Sequence, residues 1–168
     1  MKLQCWHMAI AIGLGISEAV YPWLQNRAVA QSVIVPDTTL GAENSQVLQN
    51  ATLNGQPITT PINGVRRPIE AIIGGARRGS NVFHSFSEFN VNADRGAFFV
   101  SPDNQVQNIL ARVTGRNSSV ILGKLGTFQV VNGEITTANA NLFLINPNGI
   151  LFGSNASLDV GGSFVATT

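Results

Sequence analysis

The sequence predicts an all-β fold assembled from many short strands, and three observations carry that expectation. Short apolar runs recur from residue 32 to residue 166, most of them closed by Gly, Asn, Pro or Asp. Only 11% of residues are charged while 44% are hydrophobic, so Asn, Ser, Thr and Gly must cover much of the surface. That charged share is under half of the ~25% usual for soluble domains. Helical periodicity is nearly absent, with a single competing segment at residues 101–113. A chain of 168 residues suits one domain. Low charge with an ordinary apolar share is the opposite of a disordered composition. The formal net charge of +1 gives no long-range field to steer nucleic acid or an anionic membrane. The pairs Arg66-Arg67 and Arg77-Arg78 are expected to be solvated loop residues.

Residues 1–30 have the layout of a secretory signal peptide. Lys2 supplies a positive start, and Met8 to Ile16 is an uninterrupted apolar run. Such a run fits the ~7–15 residues of a signal core and falls far short of the ~20 that span a membrane. Ala28-Val29-Ala30 places small residues where signal peptidase cuts, so the mature chain is expected to begin at Gln31. The general secretory translocon and signal peptidase are the partners this segment implies. The one cysteine, Cys5, lies inside it, so the mature chain has no thiol for a disulfide or a Cys-ligated metal. Residues 31–168 hold eight basic and eight acidic side chains and are formally neutral.

In chain order, the expected strands are Ser32–Val35, Gln46–Leu48, Ala51–Leu53, Ile58–Ile62, Ile69–Ile73 and Phe98–Val100. Val120–Leu122, Thr127–Val131, Ile135–Thr137, Leu142–Ile145, Ile150–Phe152, Ala156–Val160 and Ser163–Ala166 follow. Asn54-Gly55 and Asn63-Gly64 are turn signals, and Asn132-Gly133 between two apolar runs marks a hairpin. Residues 106–113 read either as a helix capped at Ser101–Asn104 or as a strand; their surroundings favour strand. A sandwich, a barrel and a β-solenoid all fit such a series. Seventeen glycines with abundant Asn suit stacked coils, whose corners need positive φ, although no strict repeat period is visible.

Asn146-Pro147-Asn148-Gly149 joins two apolar runs and has the residue order of a type I turn. It marks a sharp corner and contains no nucleophile or base. Phe83, Phe86 and Phe89 recur every third residue, which predicts a bend near Ser85 with the rings feeding a core or end cap. His84-Ser85 with Glu88 nearby lacks the sequence separation of a nucleophile–base pair. His84 is the one histidine of the mature chain, too few for a His-based metal site. The acids are scattered, with no pair spaced as a glycosidase dyad. No catalytic residue, cofactor or metal is expected.

Three segments occur together in order: RGSNVFHSFSEFNV from Arg78 to Val91, VQNILARVTG from Val106 to Gly115, and NANLFLINPNGILFG from Asn139 to Gly153. They resemble the filamentous haemagglutinin N-terminal domain, the secretion domain of two-partner secretion exoproteins. The resemblance covers residues 31–168. It implies a right-handed parallel β-helix, a single-stranded solenoid of the pectin-lyase-like kind, with an N-terminal β cap and extra hairpins. It implies a non-enzymatic, secretion-targeting module of an adhesin-like bacterial exoprotein. The module would be recognised in the periplasm by the POTRA repeats of a cognate outer-membrane β-barrel transporter, then secreted or held at the cell surface. No small-molecule substrate is implied. Asn146, Pro147, Asn148, Gly149 and Ile150 correspond to the family's NPNGI-type turn, needed for secretion. Asn81, Phe83, His84, Phe86, Phe89, Val113, Thr114 and Gly115 fall in its other motifs.

The chain departs from the family in three ways. Many members carry a second Asn-Pro-Asn-Leu-type motif where this chain has Ser101-Pro102-Asp103-Asn104. Residues 125–138 are longer than usual, which suggests an extra hairpin. The family domain runs on past the equivalent of residues 161–168, so residues 31–168 are expected to be a C-terminally truncated domain. The competing function is a free-standing surface or periplasmic β-helix that binds a polysaccharide or a protein partner. The two differ in whether secretion depends on the transporter. An enzyme of the pectin-lyase type would need clustered carboxylates or basic residues, which the sequence lacks.

Overall fold

A computed structural model describes residues 31–168; the expected signal peptide and its expected cleavage residues Ala28 and Ala30 lie outside the described residues. The described residues are all-β, with one short 3-10 turn at Gly41–Glu43 and no α-helix. The first strands are β1 (Val33–Pro36), β2 (Ser45–Leu48), β3 (Thr52–Leu53), β4 (Gln56–Pro57), β5 (Thr59–Ile62), β6 (Val65–Gly74), β7 (Ala76–Arg78) and β8 (Asn81–Asn90). Next come β9 (Gly96–Ser101), β10 (Asn108–Val113), β11 (Ser119–Ile121), β12 (Lys124–Val131) and β13 (Glu134–Thr137). The last are β14 (Asn141–Ile145), β15 (Ile150–Phe152), β16 (Ser157–Asp159) and β17 (Phe164–Thr167).

The chain visits three parallel ladders in a repeating order. One ladder stacks β6, β9, β12 and β16; a second stacks β8, β10, β14 and β17; a third pairs β11 with β15, preceded by a Val91–Ile121 bridge. The register step varies: Asn81 faces Asn108, Asn108 faces Asn141, and Leu142 faces Phe164. Unequal steps explain why no fixed period shows in the sequence. The extra length between Asn108 and Asn141 is the β12–β13 hairpin across Asn132-Gly133. Antiparallel β1 covers β8, and β2 and β5 pair with β6, so the sheets are mixed at the N-terminal end.

Two apolar clusters fill the fold. The larger lies between the ladders and includes Ile72, Phe86, Phe89, Phe99, Ile109, Ile121, Leu125, Leu142 and Leu144. The smaller, around Ala51, Ile69, Ala71, Phe98 and Phe128, covers the opposite face of the β6–β9–β12 sheet. Burying one such side chain contributes about 1.5–3 kcal/mol, so these clusters dominate stability.

Residues 108–113 form a strand, as their surroundings favour, preceded by a turn in which Asp103 accepts from Gln105 N at 2.9 Å. Other local expectations are corrected. The arginine pairs sit in strands β6 and β7, not loops. Arg67 pairs with Asp94 at 2.9 Å, Arg78 with Glu43 at 2.7 Å, and Arg77 with Asp103. The irregularity expected near Ser85 is a β-bulge at Ser87 within the continuous strand β8. Val82, His84 and Phe86 enter the larger core side with Ser85 buried on the other face, and the phase then slips so that Phe89 and Val91 are the next core residues. A register shift opposite β1 marks the same point, where Pro36 faces Phe86 and Val35 faces Glu88. Phe86 and Phe89 enter the core with Phe99. Phe83 instead lies on the opposite side of β8 and lines an open cavity of about 410 Å³ with Leu40, Ala76 and Leu110.

The core is open at the last rung. Leu125, Ile121 and Leu144 are fully buried, but their successors in register, Leu158, Phe152 and Ala166, are exposed. Unpaired strand edges beside apolar side chains favour association. A fragment ending at Thr168 is therefore expected to self-associate in sedimentation velocity, or to melt broadly at low temperature. A monomer with a sharp transition would contradict that.

Candidate functional site

The candidate site is a corner at which three successive circuits are stitched together. In the outermost turn, Gly149 N donates to Asn146 O at 3.0 Å and Asn148 N donates to Asn146 Oδ1 at 3.0 Å. Pro147 is exposed at the second position, and Gly149 has φ +109°, a conformation that L side chains rarely adopt. Asn146 itself is fully buried. Its Nδ2 donates to Asn117 O at 3.0 Å and to Ser119 Oγ at 2.9 Å, both in the circuit before. Asn148 Nδ2 donates to Gly115 O at 2.7 Å, and Ser119 N donates to Gly149 O at 2.9 Å.

The middle circuit is tied to the first in the same way. Thr114 N donates to Phe86 O at 2.8 Å, and Asn117 Nδ2 donates to Glu88 Oε1 at 3.0 Å. Val120 N donates to Asn90 Oδ1 at 2.8 Å. A Cβ on Gly115 would overlap the Ser87 carbonyl oxygen, so only glycine permits this approach. Gly115, Asn146, Asn148, Thr114, Val113 and Phe86 are thus brought into one column. Asn81 and Phe83 lie toward the other end of the same sheet. There Asn81, Asn108 and Asn141 form a side-chain ladder with bonds of 2.8 and 2.9 Å, which Ser163 N extends at 2.8 Å.

Asp37 clamps the N-terminal segment onto the column. Its Oδ2 accepts from Ser85 Oγ at 2.8 Å and Thr114 Oγ1 at 2.6 Å; its Oδ1 accepts from Thr39 N and Oγ1 at 2.9 and 2.7 Å. Burial alone would raise its pKa, but these four bonds to the carboxylate outweigh it and lower the value to about 2. The Asp37 contribution is therefore present above the ordinary value of 3.8 and is lost as pH falls toward 2. Sequence reasoning passed over Asp37, Asn117 and Ser119. The Asp37-x-Thr39 spacing, which allows a local side-chain-to-backbone turn, was the available signal.

His84 is sealed in the core, 5.1 Å from the Phe99 ring, with its Nδ1 3.0 Å from Ser45 Oγ. Its Nε2 has no partner. This Ser45–His84 contact has the spacing of a nucleophile and base, but both residues are buried and no carboxylate orients the ring. Ser85 bonds to Asp37, and Glu88 to Asn117, so the His84-Ser85-Glu88 run does not converge. Burial lowers the His84 pKa from 6.5 to about 4. The unfolded chain takes up its proton first, so stability is complete above pH 6.5 and falls as pH drops toward 4. The loss is about 3 kcal/mol across that window. Urea midpoints measured from pH 7 to pH 4 should show this slope, and His84→Phe should remove most of it.

A second buried group sits where β6 meets the start of β9. Glu70 and Arg95 form an ion pair that is almost completely buried, with Arg95 Nε to Glu70 Oε1 at 2.6 Å. Ser32 Oγ donates to Glu70 Oε2 at 3.0 Å and Arg95 Nη2 donates to Asn50 Oδ1 at 2.8 Å. Among the described residues, no group of three or more His, Cys, Asp or Glu side chains converges.

A sequence profile described as the TPS secretion domain matches residues 32–168. The chain belongs to the TPS secretion domain family. It therefore carries the domain that targets filamentous haemagglutinin-like bacterial exoproteins to two-partner secretion across the outer membrane. The heme/hemopexin-binding protein of Haemophilus influenzae is 36% identical over 81 residues, which are 47% of this chain and 7% of that protein. The matched segment thus spans under a tenth of the relative's length, so that protein's binding activity says little about this TPS domain. No solved structure matches the chain.

Proposed function

We propose that this chain is the secretion-targeting module of an adhesin-like exoprotein, recognised in the periplasm by the POTRA repeats of a cognate outer-membrane transporter. The observation that carries the reading is the stitched corner. The Asn146–Ile150 turn, the Val113–Gly115 segment and the Phe86–Phe89 segment meet there through Asn146, Asn148 and Thr114. These are the segments that carry the family resemblance, and their contacts are with one another rather than with a pocket. Cyclic visits to three parallel ladders support a right-handed parallel β-helix, with β1 and β2 as its N-terminal cap. The sealed Ser45–His84 contact supports a non-enzymatic role. Residues 1–30 act as the signal peptide, delivered to the secretory translocon and cut by signal peptidase after Ala30. Ser32, packed against Glu70, supports a mature chain that starts at Gln31.

Deleting each two-partner transporter of the source bacterium in turn tests the proposal. One deletion should leave the signal-cleaved chain in the periplasm, and that strain identifies the cognate transporter. Undiminished secretion from every deletion strain would overturn the proposal and favour a free-standing module.

A further inference from the structure

The outward face of the β8–β10–β14 sheet carries two rows of side chains that the core does not use. Phe83, Leu110 and Phe143 are register partners and form one row. Ser85, Arg112 and Ile145 form the next. Neighbouring strands lie about 4.8 Å apart, so three of them make a floor roughly 10 Å wide. β7 pairs alongside β8, and Ala76 of β7 borders the same space as Leu40. The result is an open cavity of about 410 Å³ lined by Leu40, Ala76, Phe83, Leu110 and Ile145, with Arg78 and Arg112 as its cations. Ligand-sized volume, mostly apolar walls and a few polar groups are the marks of a small-molecule site.

The two arginines differ. Arg78 holds the Glu43 carboxylate with both of its Nη groups, at 2.9 and 2.7 Å, so its charge is matched. Arg112 makes no ion pair among the described residues. Its Nε donates to Ser85 Oγ at 3.0 Å and its Nη2 to Thr39 Oγ1 at 2.8 Å. Asp37 lies beyond these hydroxyls, and its two oxygens already accept from four donors. A guanidinium has five N–H groups in a planar fork. The hydroxyls occupy the Nε side, which leaves the Nη1–Nη2 edge of Arg112 without a protein acceptor. That edge matches the two oxygens of one carboxylate. The hydroxyl bonds hold the fork in place before a ligand arrives, which lowers the cost of ordering it on binding.

We infer that this cavity binds an aliphatic carboxylate of medium chain length, with its head on the free edge of Arg112 and its chain over Phe83, Leu110 and Ile145. The head is anionic because Arg112 is the cation of this cavity that no carboxylate of the chain meets directly. The chain is aliphatic because Leu40, Ala76, Leu110 and Ile145 supply most of the wall, with Phe83 as the single aromatic ring.

The test is titration of the full chain with decanoate, kept below its micelle concentration, and with decanol as the uncharged probe. Decanoate should bind at least tenfold more tightly than decanol. Arg112→Gln should weaken decanoate binding at least tenfold and leave decanol binding within about threefold, which also reports that the cavity is intact. Leu110→Trp fills the cavity and should abolish binding of both probes. In the unmodified chain, the methyl resonances of Leu40, Leu110 and Ile145 should shift on adding decanoate, a readout that does not depend on how either variant folds. An absence of saturable decanoate binding, equal affinity for the two probes, or shifts confined to other methyl groups would overturn the site.

Discussion

Arg95→Met is expected to cost about 3–5 kcal/mol of unfolding free energy. The Glu70 carboxylate is almost fully buried and keeps only the Ser32 hydroxyl once the guanidinium is gone. Asn50 Oδ1 also loses its donor. A buried charge left alone is far costlier than a buried pair, which itself is near neutral against an apolar replacement. The double variant Glu70→Gln with Arg95→Met should therefore recover part of the loss, because it removes the stranded charge. Urea unfolding of the wild type, the single and the double variant checks this. A single variant within about 1 kcal/mol of the wild type would mean that water reaches Glu70 and that the pair is not a core element.

Asn146→Ala comes next, at about 2–4 kcal/mol, because it strips four hydrogen bonds from one buried side chain. Ser119 Oγ is buried and loses its donor, the turn loses its bond to Asn148 N, and a void remains at the corner. Secretion should fall at least tenfold, since the turn no longer holds the preceding circuit. Asn146→Asp keeps the acceptor for Asn148 N but replaces the donor that reaches Asn117 O, and should fall between the two. Thermal melting and the secreted fraction measured on the same variants check both halves. Full secretion of Asn146→Ala, at whatever stability, would separate the turn from function.

Much of the fold was legible because the local signals are unambiguous. Asn-Gly pairs fixed three hairpin turns, and the apolar runs located most strands to within a residue or two. The order of the strands in their sheets was not legible from pattern alone. Parallel neighbours lie 22 to 33 residues apart, with a hairpin inserted in one circuit, so no period survives in the sequence. The Asn146 turn was readable as a corner because its residue types dictate it. Its partners were not, since Asn117 and Ser119 look like ordinary loop residues until the circuits stack. The phase slip at Ser87 was half visible: the three-residue spacing of Phe83, Phe86 and Phe89 signalled an irregularity, but not which ring would turn outward. Glu70 and Arg95, 25 residues apart, carry no local mark of their pairing.

The most direct test of transporter recognition is a binding measurement between this chain and the detergent-solubilised cognate transporter, with the transporter's periplasmic repeats present and then removed. Recognition predicts saturable binding that is lost with the repeats. Binding that survives their removal, or no binding to the intact transporter, would contradict it.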